Sequence, residues 1–262
     1  MSDFFSLSRF GRLFVKHSKE YYTRYLMSAV VLIGVMVMGG GFLVYLINTS
    51  LDSIFQILIY VWLLMLGGTI FTSNIFAEYG SKNNIPWLSL PASHFEKYLV
   101  AWLYSFVILF VVVTGSFYLV MLFFINAKHF PQQQPELFSL LERPGALRYA
   151  LLVIILALYA FLHSIAFYGA IYFKKLHFIK TAFSFFIAVA LLMLGNKLLY
   201  DLLLGKDTIA TMPLTNTAFI ENGRVTVINL NDNKEMYAVI LYSVIAVLFW
   251  IAAYHRLKEK QA

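Results

Sequence analysis

The chain contains no cysteine, which excludes disulfides and thiolate metal sites without fixing a compartment. Charge is nearly as scarce: 13% of the 262 residues are Asp, Glu, Lys or Arg, against 61% that are hydrophobic. A soluble domain of this length cannot hide so much apolar surface. No charged residue lies between Arg24 and Asp52, Asp52 and Glu78, Lys97 and Lys128, or Arg148 and Lys174, the last interval holding His163. Uncharged apolar runs of about 18 residues or more read as membrane spans.

The chemical motifs that are missing narrow the function. There is no Gly-x-x-x-x-Gly-Lys-Ser/Thr loop, no Gly-x-Ser-x-Gly and no His-Glu-x-x-His, so neither a phosphate cradle of that type nor those hydrolytic or zinc constellations can form. No catalytic, cofactor-binding or metal-binding residue is expected, and the chain is not expected to be an enzyme. Any ATP it uses, with its Mg, belongs to a partner subunit. No internal repeat stands out, so residues 1–262 read as one domain.

What is present predicts an all-α integral membrane protein with six transmembrane helices, over 26–47, 54–77, 98–125, 149–173, 179–204 and 236–254. The first is too long for a signal-peptide core and lacks a cleavage site behind it, so it is expected to be retained. The net charge of +7 raises nucleic acid as a partner, but its distribution argues for topology instead. Thirteen Lys and Arg fall before span one, in loops two and four and in the tail, against six in loops three and five and none in loop one. By the positive-inside rule both termini are cytoplasmic, in a multi-pass protein of the cytoplasmic (inner) membrane. No nucleic acid is expected.

Arg9, Arg12, Lys16 and Lys19 recur at spacings of 3, 4 and 3, with Leu7, Phe10, Phe14, Tyr21 and Tyr25 opposite. This predicts an N-terminal amphipathic helix lying in the lipid interface. The short loop "NTSLDS" predicts that spans one and two form a tight hairpin, with Gly39, Gly40, Gly41, Gly67 and Gly68 permitting close packing. The third loop carries a short helical pattern at Leu137, Leu140 and Leu141. In the fifth, Asn222-Gly223 between β-branched runs predicts a small extracytoplasmic β-hairpin over 217–230.

Two polar groups stand out within the spans. His163 lies mid-span, where an ionisable residue marks a functional hypothesis; a neutral ring bonded to a neighbouring helix is the favoured account. Lys197 and Asp201, one turn apart beside Asn196, read as an i,i+4 ion pair at headgroup level, with substrate recognition as the sharper alternative.

The second loop reads "EYGSKNNIPWLSLPASHFEKY". Pro86 and Pro91 favour extended backbone before them, and Ser93 with Glu96 three residues on has the form of a helix start. The stretch "LSLPASHFEKYLVAWL", with "HSIAFYGAIYFKKLHFIKTAF" from His163, resembles a family of six-span proteins common in Bacteroidetes and often labelled ABC transporter permeases. The layout also resembles ABC-2-type exporter membrane subunits. The resemblance implies that 91–97 forms a coupling helix docked in a cytoplasmic ABC ATPase, that Pro86, Leu88, Leu90, Pro91, His94, Phe95, Glu96 and Lys97 serve that contact, and that a second permease copy completes the pathway as a homodimer or heterodimer. The hairpin departs from the family layout, in which re-entrant apolar helices occupy that loop. A non-transporting scaffold or mechanotransmission subunit that engages an envelope partner is therefore the alternative, and an intramembrane enzyme using His163 ranks last.

Overall fold

A computed structural model describes residues 5–47, 51–79, 92–127, 135–142, 150–173, 176–205, 207–209, 211, 216–221, 224–228 and 234–261. Within them, six helices are long and apolar enough to cross a membrane, matching the six spans expected from the sequence. Helix α1 is Leu7–Gly41, continued by a π turn at Phe42–Leu46, and α2 is Ser53–Tyr79. The third span comprises α3 (His94–Trp102), a π turn at Leu103–Ile108 and α4 (Leu109–Ala127). Then follow α5 (Leu151–Tyr172), α6 (His177–Leu204), strands β1 (Thr217–Glu221) and β2 (Arg224–Ile228), and α7 (Lys234–Gln261).

One expected boundary is corrected. The amphipathic N-terminal segment is not a separate helix: neither proline nor glycine occurs between Gly11 and Gly34, nothing else stops the helix, and it runs unbroken into the first span. The helix start expected at Ser93 forms, and from His94 the helix continues through the π turn into the third span. Pro86, Leu88, Leu90 and Pro91 lie outside the described residues.

The hub is α5, which packs on α7, α2 and α6 and buries Ile155, Tyr159, His163, Phe167 and Ala170. Helix α1 packs along the third span rather than on α2, so the first two spans are not the tight hairpin that their short loop suggested. The glycines accordingly serve other neighbours. A Cβ on Gly68 would lie 2.7 Å from Cε2 of Tyr159, and Gly40 faces the Phe124 ring, whereas Gly39 and Gly67 face open space. One apolar cluster, around Leu13, Tyr98, Phe167, Ala253 and Leu257, gathers both chain ends at the end of the bundle where α3 begins. The second, around Tyr60, Phe117, Phe124, Phe138 and Tyr159, fills the rest. Helix α6 is the most peripheral: Thr181 is its one buried residue.

The third loop carries no helix in its described part, residues 135–142. Instead Phe138 plugs the bundle at 3% exposure, held by Gln56, whose Nε2 donates to Glu136 O at 2.8 Å and whose Oε1 accepts from Phe138 N at 3.2 Å. The carbonyls of Leu140 and Glu142 then accept from the first N–H groups of α5, at 2.8 and 3.0 Å, supplying bonds that a helix start otherwise lacks. The fifth-loop hairpin forms with the expected register, Glu221 opposite Arg224 and Thr217 opposite Ile228.

Candidate functional site

A dense polar constellation forms where the second loop enters the third span. Ser93 caps α3 in extended conformation, its Oγ accepting from Glu96 N at 3.2 Å while Glu96 Oε2 accepts from Ser93 N at 2.9 Å. This reciprocal box satisfies two N–H groups that a helix start leaves open. The other carboxylate oxygen reaches across the fold. Glu96 Oε1 accepts from Ser6 N at 2.7 Å and from Arg9 Nη2 and Nε at 3.0 and 3.3 Å. Since Ser6 is the N-cap of α1, one anion serves the positive ends of two helices, where their dipoles favour it.

The side chain of Glu96 is fully buried in this clasp, and Arg9 is 31% exposed. Lys97 is also buried. Phe95 packs edge-on against Phe5 and Tyr254, and Tyr98 donates to Trp250 O at 2.9 Å, so α7 is bound into the same joint. Of the described residues nominated for ATPase contact, only His94 is exposed. Arg12, Lys16 and Lys19 keep the outward basic face predicted for them, but Arg9 leaves it for Glu96. Leu13 and His17 join the buried stripe, and Leu7 is 75% exposed.

His163 is a crossing point of three spans. Trp250 Nε1 donates to its Nδ1 at 3.1 Å, and its Nε2 lies 2.9 Å from Ser105 Oγ. An indole N–H can only donate, so Nδ1 is the acceptor and the neutral ring carries its proton on Nε2, directed at Ser105. Ser105 sits in the π turn, whose wider winding leaves carbonyls short of helical partners. Tyr159 supplies its one O–H donor there, shared between Ser105 O at 2.9 Å and Phe106 O at 3.3 Å. This supports the structural account of His163. Among the described residues no group of His, Asp and Glu could hold a metal ion.

Lys197 and Asp201 form their ion pair at 2.9 Å, and the pair does more than neutralise itself. Lys197 also pairs with Asp207, and Asp201 Oδ1 accepts from both Thr208 N and Thr208 Oγ1 at 2.7 Å. Gly205, at φ +63, ends α6 by donating to Asp201 O at 2.9 Å, a left-handed stop that glycine adopts without penalty. Residues 207–209 thereby turn back and seat the hairpin, with Ile209 N bonded to Ala218 O at 2.8 Å. His163 and the Lys197 pair belong to separate joints, so the polar residues nominated within the spans do not converge on one site.

Sequence reasoning missed Arg9 and Ser6 as partners of Glu96, Trp250 and Ser105 as partners of His163, and Gln56. The first four are contacts between residues 58 to 90 positions apart, for which a single sequence carries no signal. Gln56 did carry one: a glutamine in an uncharged apolar run needs a buried partner.

Among the described residues, six apolar helices of spanning length, one of them the buried hub, mark a multi-pass membrane protein. Comparison with protein-family models, curated proteins and solved structures finds no match.

Proposed function

We propose that this chain is the membrane (permease) subunit of an exporter-type ABC transporter in the cytoplasmic membrane. Both termini are cytoplasmic, a separate ATPase subunit binds ATP and Mg, and a second permease copy shares the assembly. The observation that supports this reading is the Glu96 clasp. Force applied to the loop entering α3 is delivered at once to α1 through Ser6 and Arg9 and to α7 through Phe95 and Tyr98. A motor on another chain needs such a joint to move several spans together. The largely exposed surface of α6, on which Thr181 alone is buried, suits lipid or the second copy.

Glu96 and Lys97 are buried and unsuited to probing a docking surface, so the test uses exposed His94. A photo-crosslinking residue at position 94, in protein purified in mild detergent from its native cells, is expected to capture a P-loop ATPase. An intact preparation that yields no ATPase and no adduct overturns the proposal.

A second reading, a non-transporting scaffold or mechanotransmission subunit, is favoured by the hairpin, whose β2 exposes Val225 and Val227 by 62% and 54%. The same capture with residues 216–230 deleted separates the two. Loss of an envelope partner with the ATPase retained favours the scaffold.

A further inference from the structure

Spans one and two adjoin in sequence, yet a groove separates them. At the end of the bundle carrying the termini it opens as a cavity of about 140 Å³ lined by His17, Tyr21, Arg24, Tyr25 and Ser28 of α1 and by Phe71 and Asn74 of α2. Farther along the same two helices lies an apolar cleft of about 470 Å³, walled by Val35 and Gly39 of α1, Ile59, Trp62 and Leu63 of α2, and Phe117 and Phe124 of α4. Helical periodicity joins the two. Gly67 is one turn from Leu63 and two from Asn74, hence on the same face of α2, and no atom approaches the place its Cβ would take.

The two ends differ in chemistry. The small cavity offers a guanidinium, a carboxamide, a serine hydroxyl and phenols, and among the described residues no carboxylate lines it. That set complements a phosphodiester, which accepts hydrogen bonds and carries one negative charge. Its tyrosines are the side chains that favour the headgroup boundary. The cleft offers only apolar surface. At ~1.5 Å per residue, Arg24 to Val35 spans about 16 Å, close to one leaflet of a ~30 Å hydrocarbon core.

We propose that one phospholipid resides between α1 and α2, its phosphate held by Arg24, Ser28 and Asn74 and one acyl chain lying over Gly67 into the cleft beside Leu63 and Trp62. The exposed cations Arg12, Lys16 and Lys19 on the N-terminal stretch of α1 favour an anionic headgroup. This rests on the six helices lying in a bilayer and is independent of any ATPase.

The test reconstitutes the full chain in phosphatidylethanolamine–phosphatidylglycerol vesicles containing phosphatidylglycerol with a photoactivatable acyl chain, and maps the adducts by mass spectrometry. Labelling is expected to concentrate on α2 between Ile59 and Gly67. Arg24→Gln should weaken retention about tenfold, the cost of one charge-assisted hydrogen bond, and Gly67→Leu, projecting into open space, should block the groove and abolish that label. The wild-type map does not depend on how the variants fold. Label spread evenly over all spans would overturn the proposal. So would displacement of the label by inorganic phosphate alone, which would mark a free-anion site. Because the chain lacks cysteine, Trp62→Cys gives a clean third arm: efficient disulfide dimerisation in vesicles would assign the groove to a second copy and overturn the lipid.

Discussion

Replacing His163 by leucine should cost little packing volume but two hydrogen bonds, and the geometry says which loss matters. Ser105 Oγ retains Trp102 O as acceptor at 3.3 Å, whereas Trp250 Nε1 donates to His163 Nδ1 and loses that acceptor when the ring is removed. One orphaned donor costs about 1–3 kcal/mol in a water-soluble core, but interhelical bonds in bilayers average about 0.6 and reach about 1.7 kcal/mol. The expected cost of His163→Leu is therefore about 1 kcal/mol. Trp250→Phe removes the donor itself, so the double variant should cost about 1 kcal/mol less than the sum of the singles. His163→Gln, whose amide both accepts and donates, should recover much of the loss. The assay is unfolding of the purified protein in mixed micelles by titration with denaturing detergent, read as a double-mutant cycle. Additivity within about 0.3 kcal/mol, or a glutamine variant as unstable as leucine, would refute the bridge and leave ring packing against Phe106 and Phe167 as the whole contribution.

Two other joints give separate expectations. Glu96→Gln should release the start of α1, because a neutral amide cannot hold Arg9 and serve two N-caps together. A cysteine at Leu13, 5% exposed, should then react with maleimide severalfold faster, with Arg12→Ala as a silent control. Asp201→Ala strands Thr208 and one arm of Lys197, so limited proteolysis should cut at 207–211 sooner while cleavage elsewhere in the chain keeps its rate. Unchanged cleavage would show that the hairpin is seated by β pairing alone.

The spans were legible because runs without charge have one low-energy fate in a bilayer, and the capping box because Ser93 and Glu96 are local. The hairpin was legible for the same reason: Asn222-Gly223 and its β-branched flanks act over a few residues. Contacts between distant segments were not. A tight loop after α1 suggested that α1 and α2 pack together, but loop length constrains helix ends and not the faces along them, and α1 turns its buried stripe to the third span instead. Likewise Arg9 belongs by periodicity with Arg12 and Lys16, and only the placement of Glu96 takes it off that face. The stretch around Phe138 looked helical because Leu137, Leu140 and Leu141 recur at helical spacing; the donor and acceptor of Gln56, on α2, hold that backbone open.

A carboxylate shared by two helix starts also sets an order of events. The first helix is complete long before residue 96 is made, so its N-terminus cannot find its anchor until the third span emerges. Trp250 reaches His163, and gives Tyr98 its carbonyl, only when the final helix arrives. The bundle is thus stitched from its last-made part back to its first, and a chain shortened after α6 would hold its hub without the bonds that close it.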